Sequence, residues 1–299
     1  MLKGTLVVNS FLDSYQTTDT YNHLMDSAKR HGLMMELRTN GEFFARVDRK
    51  GVIFPKGFKD DFVLFWNKDV ALGKALEEEG LRLYNPSEGI RLCDNKAFTF
   101  EAINNSRYAS EITMPKTIRI PMTFAGIGYT NYDFLDAVID EMGLPFVLKE
   151  CWGSYGGQVY LANTKEEAVN ILSKMDGQDV IAQEYISSSK GRDIRAYVVG
   201  DEVIAAIERR NDNDFRANIT NGGTAEAITL TKEQEKMAIA ATKALELDFA
   251  GVDLLHLQDD LPILCEVNSN AQFAGLYKAT GIDVTDAIME HIIATVNLA

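Results

Sequence analysis

The sequence predicts an α/β first part followed by an α+β remainder, and three observations lead there. Strand and helix signals alternate through roughly the first ninety residues, the βαβ rhythm of a small doubly wound unit with a parallel sheet. From Phe146 onward strands dominate, interrupted by helical stretches and closed by a last helix. At 299 residues, with 46% apolar and 25% charged residues, the chain is an ordinary globular sequence long enough for two or more buried cores. The division drawn is an α/β domain over 1–93 and a second domain over 94–299.

Residues 5–8 are rich in β-formers. Thr17, Thr18 and Asp19 offer N-caps for an amphipathic helix running to about Arg30, which His31 and Gly32 end. Residues 33–38 and 62–66 read as strands, and a helix over 69–79 is stopped by Gly80. After the turn-rich Asn85-Pro86-Ser87 comes a helix with Asp94 as its N-cap and Lys96 in its first turn. The stretch from Pro115 to Pro121 breaks the chain before a helix over 132–142. Strands follow at 146–150, 158–161, 180–186, 193–199 and 203–209, with helices over 165–175 and 232–245 and a last one from 284 to the end. Mostly antiparallel strands with helices on one side are expected for this half.

Composition excludes several functions. A formal charge of −14 argues against a non-specific nucleic-acid binder, which needs Lys and Arg on phosphates. Cys93, Cys151 and Cys265 are scattered and odd in number, which fits free thiols in a reducing compartment. His23, His31, His256 and His291 are equally dispersed, so neither a zinc site nor a histidine-based triad is supported. The amino terminus has no signal-peptide layout, and no apolar run approaches the ~20 residues of a membrane span. A cytoplasmic protein without membrane partners is expected. The one Gly-x-Gly, Gly126-Ile127-Gly128, reads as a turn, and no dinucleotide fingerprint follows the first strand.

The polar landmarks cluster in the second half. Lys149 interrupts an apolar strand and leads into Gly153-Ser154-Tyr155-Gly156-Gly157, whose glycines let backbone N–H groups approach phosphate oxygens. A snorkelling lysine before a hairpin turn is the plain alternative. Gln183-Glu184-Tyr185-Ile186 ends a strand before a polar loop, an edge able to offer backbone groups to an adenine ring. Asp193 and Arg195 share a strand face, as do Glu208 and Arg210, for which inter-strand ion pairs are the simple account. Arg216 and Asn218 precede the glycine-containing Asn221-Gly222-Gly223.

Residues 249–255 and 261–268 read as a hairpin joined by Gln258-Asp259-Asp260. Asp253 then lies beside the segment of Glu266 and Asn268, which are two apart and share a face. Three hard oxygen donors facing one point suit magnesium. A solvated polar face of an antiparallel pair is the other reading.

In this order, Lys96, Lys149 with its glycine loop, Gln183-Glu184-Tyr185-Ile186, Gly191-Arg192-Asp193-Ile194-Arg195, the stretch from Val198 to Arg210, Phe215-Arg216-Ala217-Asn218, Gly251-Val252-Asp253 and Glu266-Val267-Asn268 resemble the ATP-grasp superfamily. The pattern is most similar to the RimK-like carboxylate–amine ligases. The resemblance implies an ATP-grasp fold of two α+β subdomains after the first domain. It implies that Lys96, Lys149, Ser154 and Gly156 bind ATP phosphates, that Glu184 and Tyr185 hold adenine, and that Asp193 takes the ribose hydroxyls. Asp253, Glu266 and Asn268 would ligate magnesium, or manganese in its place, with Arg216 and Asn218 catalytic beside the γ-phosphate. The implied reaction activates a carboxylate as an acyl phosphate for attack by an amine, releasing ADP and phosphate. Carboxylate and amine substrates, small molecules or peptides, are thus the expected partners, glutamate among them, and homo-oligomers are common in the group.

The chain departs from the pattern after Asn268. There the group continues with a Ser-Pro-Gly-like turn, whereas this sequence reads Ser269-Asn270-Ala271-Gln272-Phe273. A nucleotide-binding regulatory protein that keeps the fold without the chemistry is the rival expectation.

Overall fold

The computed structural model describes residues 1–12, 14–48, 51–153, 157–218, 222–258 and 261–297. Four parallel strands form the first sheet: β1 (Lys3–Val8), β2 (Met34–Thr39), β5 (Phe62–Phe65) and β6 (Arg82–Tyr84), in the order β2-β1-β5-β6. A short hairpin, β3 (Phe44–Ala45) with β4 (Val52–Ile53), lies between β2 and β5 in the chain. Alternation along the strands serves both faces of the sheet. Leu6, Val8, Phe62 and Leu64 pack with Leu24 and Ala28 of α1 (Tyr15–Arg30), while Val7, Val63 and Phe65 pack with Leu72 and Leu76 of α2 (Val70–Glu78). This is the doubly wound arrangement that the alternating signals imply.

Two caps differ from expectation. Helix α1 begins earlier, at Ser14, whose side chain accepts from Thr17 N while Thr17 returns the bond. Thr17 is thus the third helical residue of a capping box, and the cap itself lies three residues upstream. Likewise Asp94 closes α3 (Ser87–Asp94), and Asn95 caps α4 (Lys96–Asn105) by accepting from Phe98 N at 3.1 Å. Lys96 does open that helix.

The second sheet is antiparallel, ordered β7 (Thr117–Arg119), β10 (Val180–Glu184), β8 (Phe146–Glu150) and β9 (Val159–Ala162). The Pro115 to Pro121 stretch, read as a break, supplies the edge strand β7, a position that tolerates flanking prolines. Helices α5 (Phe134–Met142) and α6 (Lys165–Leu172) cover one face, against Phe146, Leu148, Val180 and Ala182. The opposite parity, Val147, Lys149 and Gln183, lines a cleft.

A five-stranded antiparallel sheet forms the other wall, in the order β13 (Thr224–Ala227), β12 (Glu202–Arg210), β11 (Arg192–Val199), β14 (Phe249–His256), β15 (Pro262–Asn268). Helices cover both its faces, not one as expected. Ile194, Ala196, Val198, Ala250 and Val252 pack on α7 (Lys232–Ala244), while Tyr197, Val199 and Phe249 meet α8 (Ala274–Thr280) and α9 (Val284–Thr295) in the core shared with the first sheet. The expected boundary at 93/94 falls at the end of α3.

The first sheet is joined to this wall by polar contacts. Arg82 donates to both oxygens of Asp248 at 2.7 and 2.9 Å, and His291 Nε2 lies 2.9 Å from the same carboxylate. Buried Asn85 makes four bonds: Nδ2 donates to Phe249 O and Ser269 O, and Oδ1 accepts from Asp248 N and Phe249 N. One side chain thereby bridges the start of β14 to the end of β15. Asn85→Leu strands these groups and is expected to lower the unfolding free energy by about 4 kcal/mol, taking about 1 kcal/mol for each, as read by urea denaturation.

Candidate active site

A cleft of about 110 Å³ lies between the second and the five-stranded sheets. Lys96, Lys149, Glu184, Tyr185 and Asp193 line it, as do Arg216, Asn218, Asp253 and Glu266. A second chamber of about 280 Å³ adjoins it, sharing Gly153, Arg209, Asn218 and Glu266, and there Asn268 is found. Every described residue given an ATP, metal or catalytic role by the resemblance therefore lines one of these two adjoining spaces. Ser154 and Gly156 lie outside the described residues.

The hairpin owes its polar face to one irregularity. Ala250, Val252 and Leu254 of β14 and Leu264 of β15 pack in the core beside α7. Strict alternation from Leu264 would send Glu266 and Asn268 into that same core. The register instead shifts between Asp253 and Leu254, so that Asp253 opposes Glu266 and Leu254 opposes Leu264, leaving Cys265 as the extra residue. Parity reverses there: Val267 enters the core, and Glu266 faces the cleft opposite Asp253.

Asp253 is 3% exposed and sits in a charge network. Arg195 donates to it through Nε and, at 2.7 Å, through Nη2, and Arg209 Nη2 approaches within 2.9 Å. Arg209 also grips Asp193 with two bonds, of 2.6 and 2.8 Å. Two guanidinium and two carboxylate groups thus cancel. The ion pairs expected here cross the strands from Asp193 to Arg209 and from Arg195 to Asp253, whereas Glu208 pairs with Arg210 along its own strand. Burial pushes the Asp193 carboxyl up, while Asp253 is held below the usual carboxylate range because its two arginines outweigh burial. Burial opposes the charge on Arg209, yet Asp253 and Asp193 hold it firmly protonated.

Asp253 accepts three N–H bonds, which leaves room for one more ligand among about four acceptor sites of a carboxylate. With Glu266 opposite it and Asn268 two residues on, the donor set of two carboxylates and an amide oxygen fits a hard cation. Among the described residues no group of three His, Cys, Asp or Glu side chains gathers, so the set is complete only with the amide.

The lysines are placed differently. Lys149, 8% exposed, donates to neutral Gln183 Oε1 at 2.6 Å, and no carboxylate pairs with it among the described residues. It is buried, so the snorkelling alternative fails. Lys96 donates to Gly153 O at 3.0 Å and lies 3.6 Å from Glu266. Arg216 is held by Asp214, and the loop carrying it is tied to β11 by Gly191 N to Phe215 O and Asn211 N to Gly191 O. Gly191 has φ +68°, and a Cβ there would lie 2.3 Å from Asn211 O, so only glycine fits. At the strand edge, Tyr185 meets Phe215 edge to face at 6.2 Å. Burial pushes the Cys265 thiol up to about 11, which makes it a poor nucleophile.

The RimK-like ATP-grasp domain profile matches residues 110–292. The chain belongs to the RimK-like ATP-grasp family. An uncharacterised protein of Mycoplasma genitalium is 34% identical over 290 residues, 95% of this chain and 98% of its own length. The ribosomal protein bS6 L-glutamate ligase of Escherichia fergusonii is 38% identical over 178 residues, 58% of each chain. A crystal structure of D-alanine–D-alanine ligase from Bacillus anthracis superposes with a TM-score of 0.72 at 21% identity, covering 100% of this chain and 98% of that one, a likeness of fold. The ATP-grasp fold and ligase family expected from the sequence are thereby established.

In the sequence Arg209 stands out only as part of the Val198 to Arg210 stretch and carries no assigned role; its cross-strand position opposite Asp193 supplies one. Gln183, the partner of Lys149, was seen only as part of an edge motif. Arg209→Met leaves two buried carboxylates with less cation and is expected to destabilise the fold by about 3–5 kcal/mol at neutral pH. In that variant the folded-state carboxyl pKa values rise above the unfolded ones, so the deficit shrinks as pH falls toward about 4, which denaturation at both pH values reads directly.

Proposed function

We propose that the cleft binds ATP and the adjoining chamber the groups to be joined, making this RimK-like protein an ATP-dependent carboxylate–amine ligase. The observation that carries the reading is Lys149: a buried ammonium whose partner is neutral is destabilised until an anion arrives. A triphosphate supplies that anion, with Lys96 at its other side. Apolar side chains of Val147, Val159, Ile186 and Leu255 flank the purine, with Tyr185 at the strand edge. The Glu184 N–H donates to Lys116 O, so its contribution to adenine binding falls to its carbonyl. Asp193 keeps acceptor sites for the ribose hydroxyls beyond its two bonds to Arg209.

Asp253, Glu266 and Asn268 would hold magnesium, which screens phosphate charge when bound. A substrate carboxylate oxygen bonds to the γ-phosphorus as the bond to ADP breaks. The amine nitrogen then bonds to the acyl carbon, phosphate leaves with the electron pair of its C–O bond, and the amine gives up a proton. Arg216 sits where it can neutralise the transferring group, and Asn218, which lines both spaces, can orient the acyl phosphate. The neutral Arg–Asp network adds no net charge, so Lys96, Lys149 and the cation balance the triphosphate. Free thiols and the absence of a membrane-crossing helix among the described residues support a cytoplasmic setting.

With ATP, magnesium and pooled amino acids or peptides the protein is expected to release ADP and phosphate; AMP and pyrophosphate would contradict this. Lys149→Met should raise the KM for ATP by about tenfold or more, since a charged hydrogen bond is worth about 1.5–3 kcal/mol. Glu266→Gln should abolish turnover while the circular dichroism spectrum is kept. Full activity of both variants removes the assignment.

A further inference from the structure

Among the described residues, one sheet edge is left open. β2 is the outer strand of the first sheet and is bonded to β1 on its inner side, where Met34 N–H donates to Leu2 O at 3.0 Å. Alternation then turns the backbone groups of Glu36 and Arg38 inward and those of Met35, Leu37 and Thr39 outward. The Thr39 N–H is taken by Glu42 Oε1 at 2.8 Å. The N–H and C=O of Met35 and Leu37 meet no partner among the described residues.

Unpaired groups of this kind are a template for a further strand, and proteins blunt them with brevity, proline, lysine, bulges or a cover. The other outer strands are protected in these ways. β6, β7, β9 and β13 have three or four residues, Pro115 and Pro121 flank β7, and Leu264 N of β15 donates to Thr113 O at 2.9 Å. β2 has six residues in regular register, with no proline, lysine or bulge, and its Leu37 is 44% exposed.

The two charges of β2 decide which strand fits. A second copy related by a two-fold axis pairs antiparallel, and outward backbone groups must meet outward ones. Two axis positions then overlap most of the strand, at Glu36 and at Leu37. The first sets Glu36 against Glu36, like charges directly opposed. The second sets Glu36 of each copy against Arg38 of the other, Leu37 against Leu37, and Met35 against Thr39. In that register the two Leu37 residues exchange both backbone bonds, each Met35 N–H reaches a Thr39 O, and the opposite charges fall in the closer, non-hydrogen-bonded pairs. Arg38 holds Glu36 and Glu42 of its own chain at 2.8 and 3.1 Å, so the pairing extends an existing row of alternating charge.

We propose that β2 is a dimer interface: two copies of this chain pair their β2 strands antiparallel about an axis at Leu37, joining their four-stranded sheets into one. The contact is narrow, one strand from each copy, so the dimer is reversible and not obligate. No residue of β2 lines the cleft or the chamber, and the inference stands apart from the ligase reading.

Sedimentation equilibrium of the full chain across micromolar concentrations is the test. The wild type should pass reversibly from the mass of one chain to that of two. Leu37→Lys sets two ammonium groups against each other at the axis, and Glu36→Arg sets a guanidinium against Arg38. Each should raise the dimer dissociation constant by about tenfold or more while the circular dichroism spectrum is kept. Arg38→Glu alone should weaken the dimer likewise. An equimolar mixture of Glu36→Arg and Arg38→Glu chains should form a mixed dimer, because each cross-strand pair is then of opposite sign. A wild type that stays monomeric at every concentration overturns the proposal. So does dimerisation unaffected by Leu37→Lys and Glu36→Arg, or a mixture of the two folded charge variants that fails to pair. If Arg38→Glu does not fold, the other two variants decide.

Discussion

The chemistry of this molecule depends on one extra residue in a β-ladder. Cys265 interrupts the pairing of β14 with β15, and beyond it the parity of β15 is reversed. Without the bulge, Glu266 would point at the leucines and alanines beside α7, a costly burial for a carboxylate. With it, Glu266 stands opposite Asp253 on the cleft side, and the apolar Val267 replaces it in the core. A local irregularity thus separates what the core needs from what the site needs within four residues of chain.

The second constraint is charge neutrality under the cleft. Asp193, Arg195, Arg209 and Asp253 come from three adjacent strands and compensate one another at hydrogen-bond distance. Burying Asp193, Arg209 and Asp253, with Arg195 partly buried beside them, is tolerable because each is paired and bonded. The consequence reaches beyond stability. Because this network is balanced, the Lys149 ammonium stands out: among the described residues its partner is the neutral Gln183 and no carboxylate pairs with it, and it faces the space that the proposed triphosphate occupies. The bridge from Asn85 to β14 and Ser269 then couples the first sheet to the strands that carry the oxygen donors.

Much of this was legible in the linear sequence, for identifiable reasons. Lys149 was conspicuous because a charge in an apolar strand violates simple patterning. The hairpin that sets Asp253 beside the Glu266 to Asn268 segment was legible from its spacing, whereas the bulge that turns Glu266 toward the cleft was not. The caps were displaced because several adjacent residues could each serve: Ser14 lies upstream of Thr17, and Asn95 lies next to Asp94. The edge strand β7 was hidden among prolines, since its pairing with β10 is a long-range event that no local propensity encodes.

Alternation, turn residues and ordered motifs were enough to determine the parallel first sheet, the antiparallel remainder and the ligase family, because each rests on near neighbours in the chain. Which partner Arg209 takes, that Cys265 is bulged, and that Asn85 bridges β14 to Ser269 were decided only on folding. Those outcomes depend on contacts between residues far apart in sequence, and such contacts are settled by packing and by the balance of buried charge.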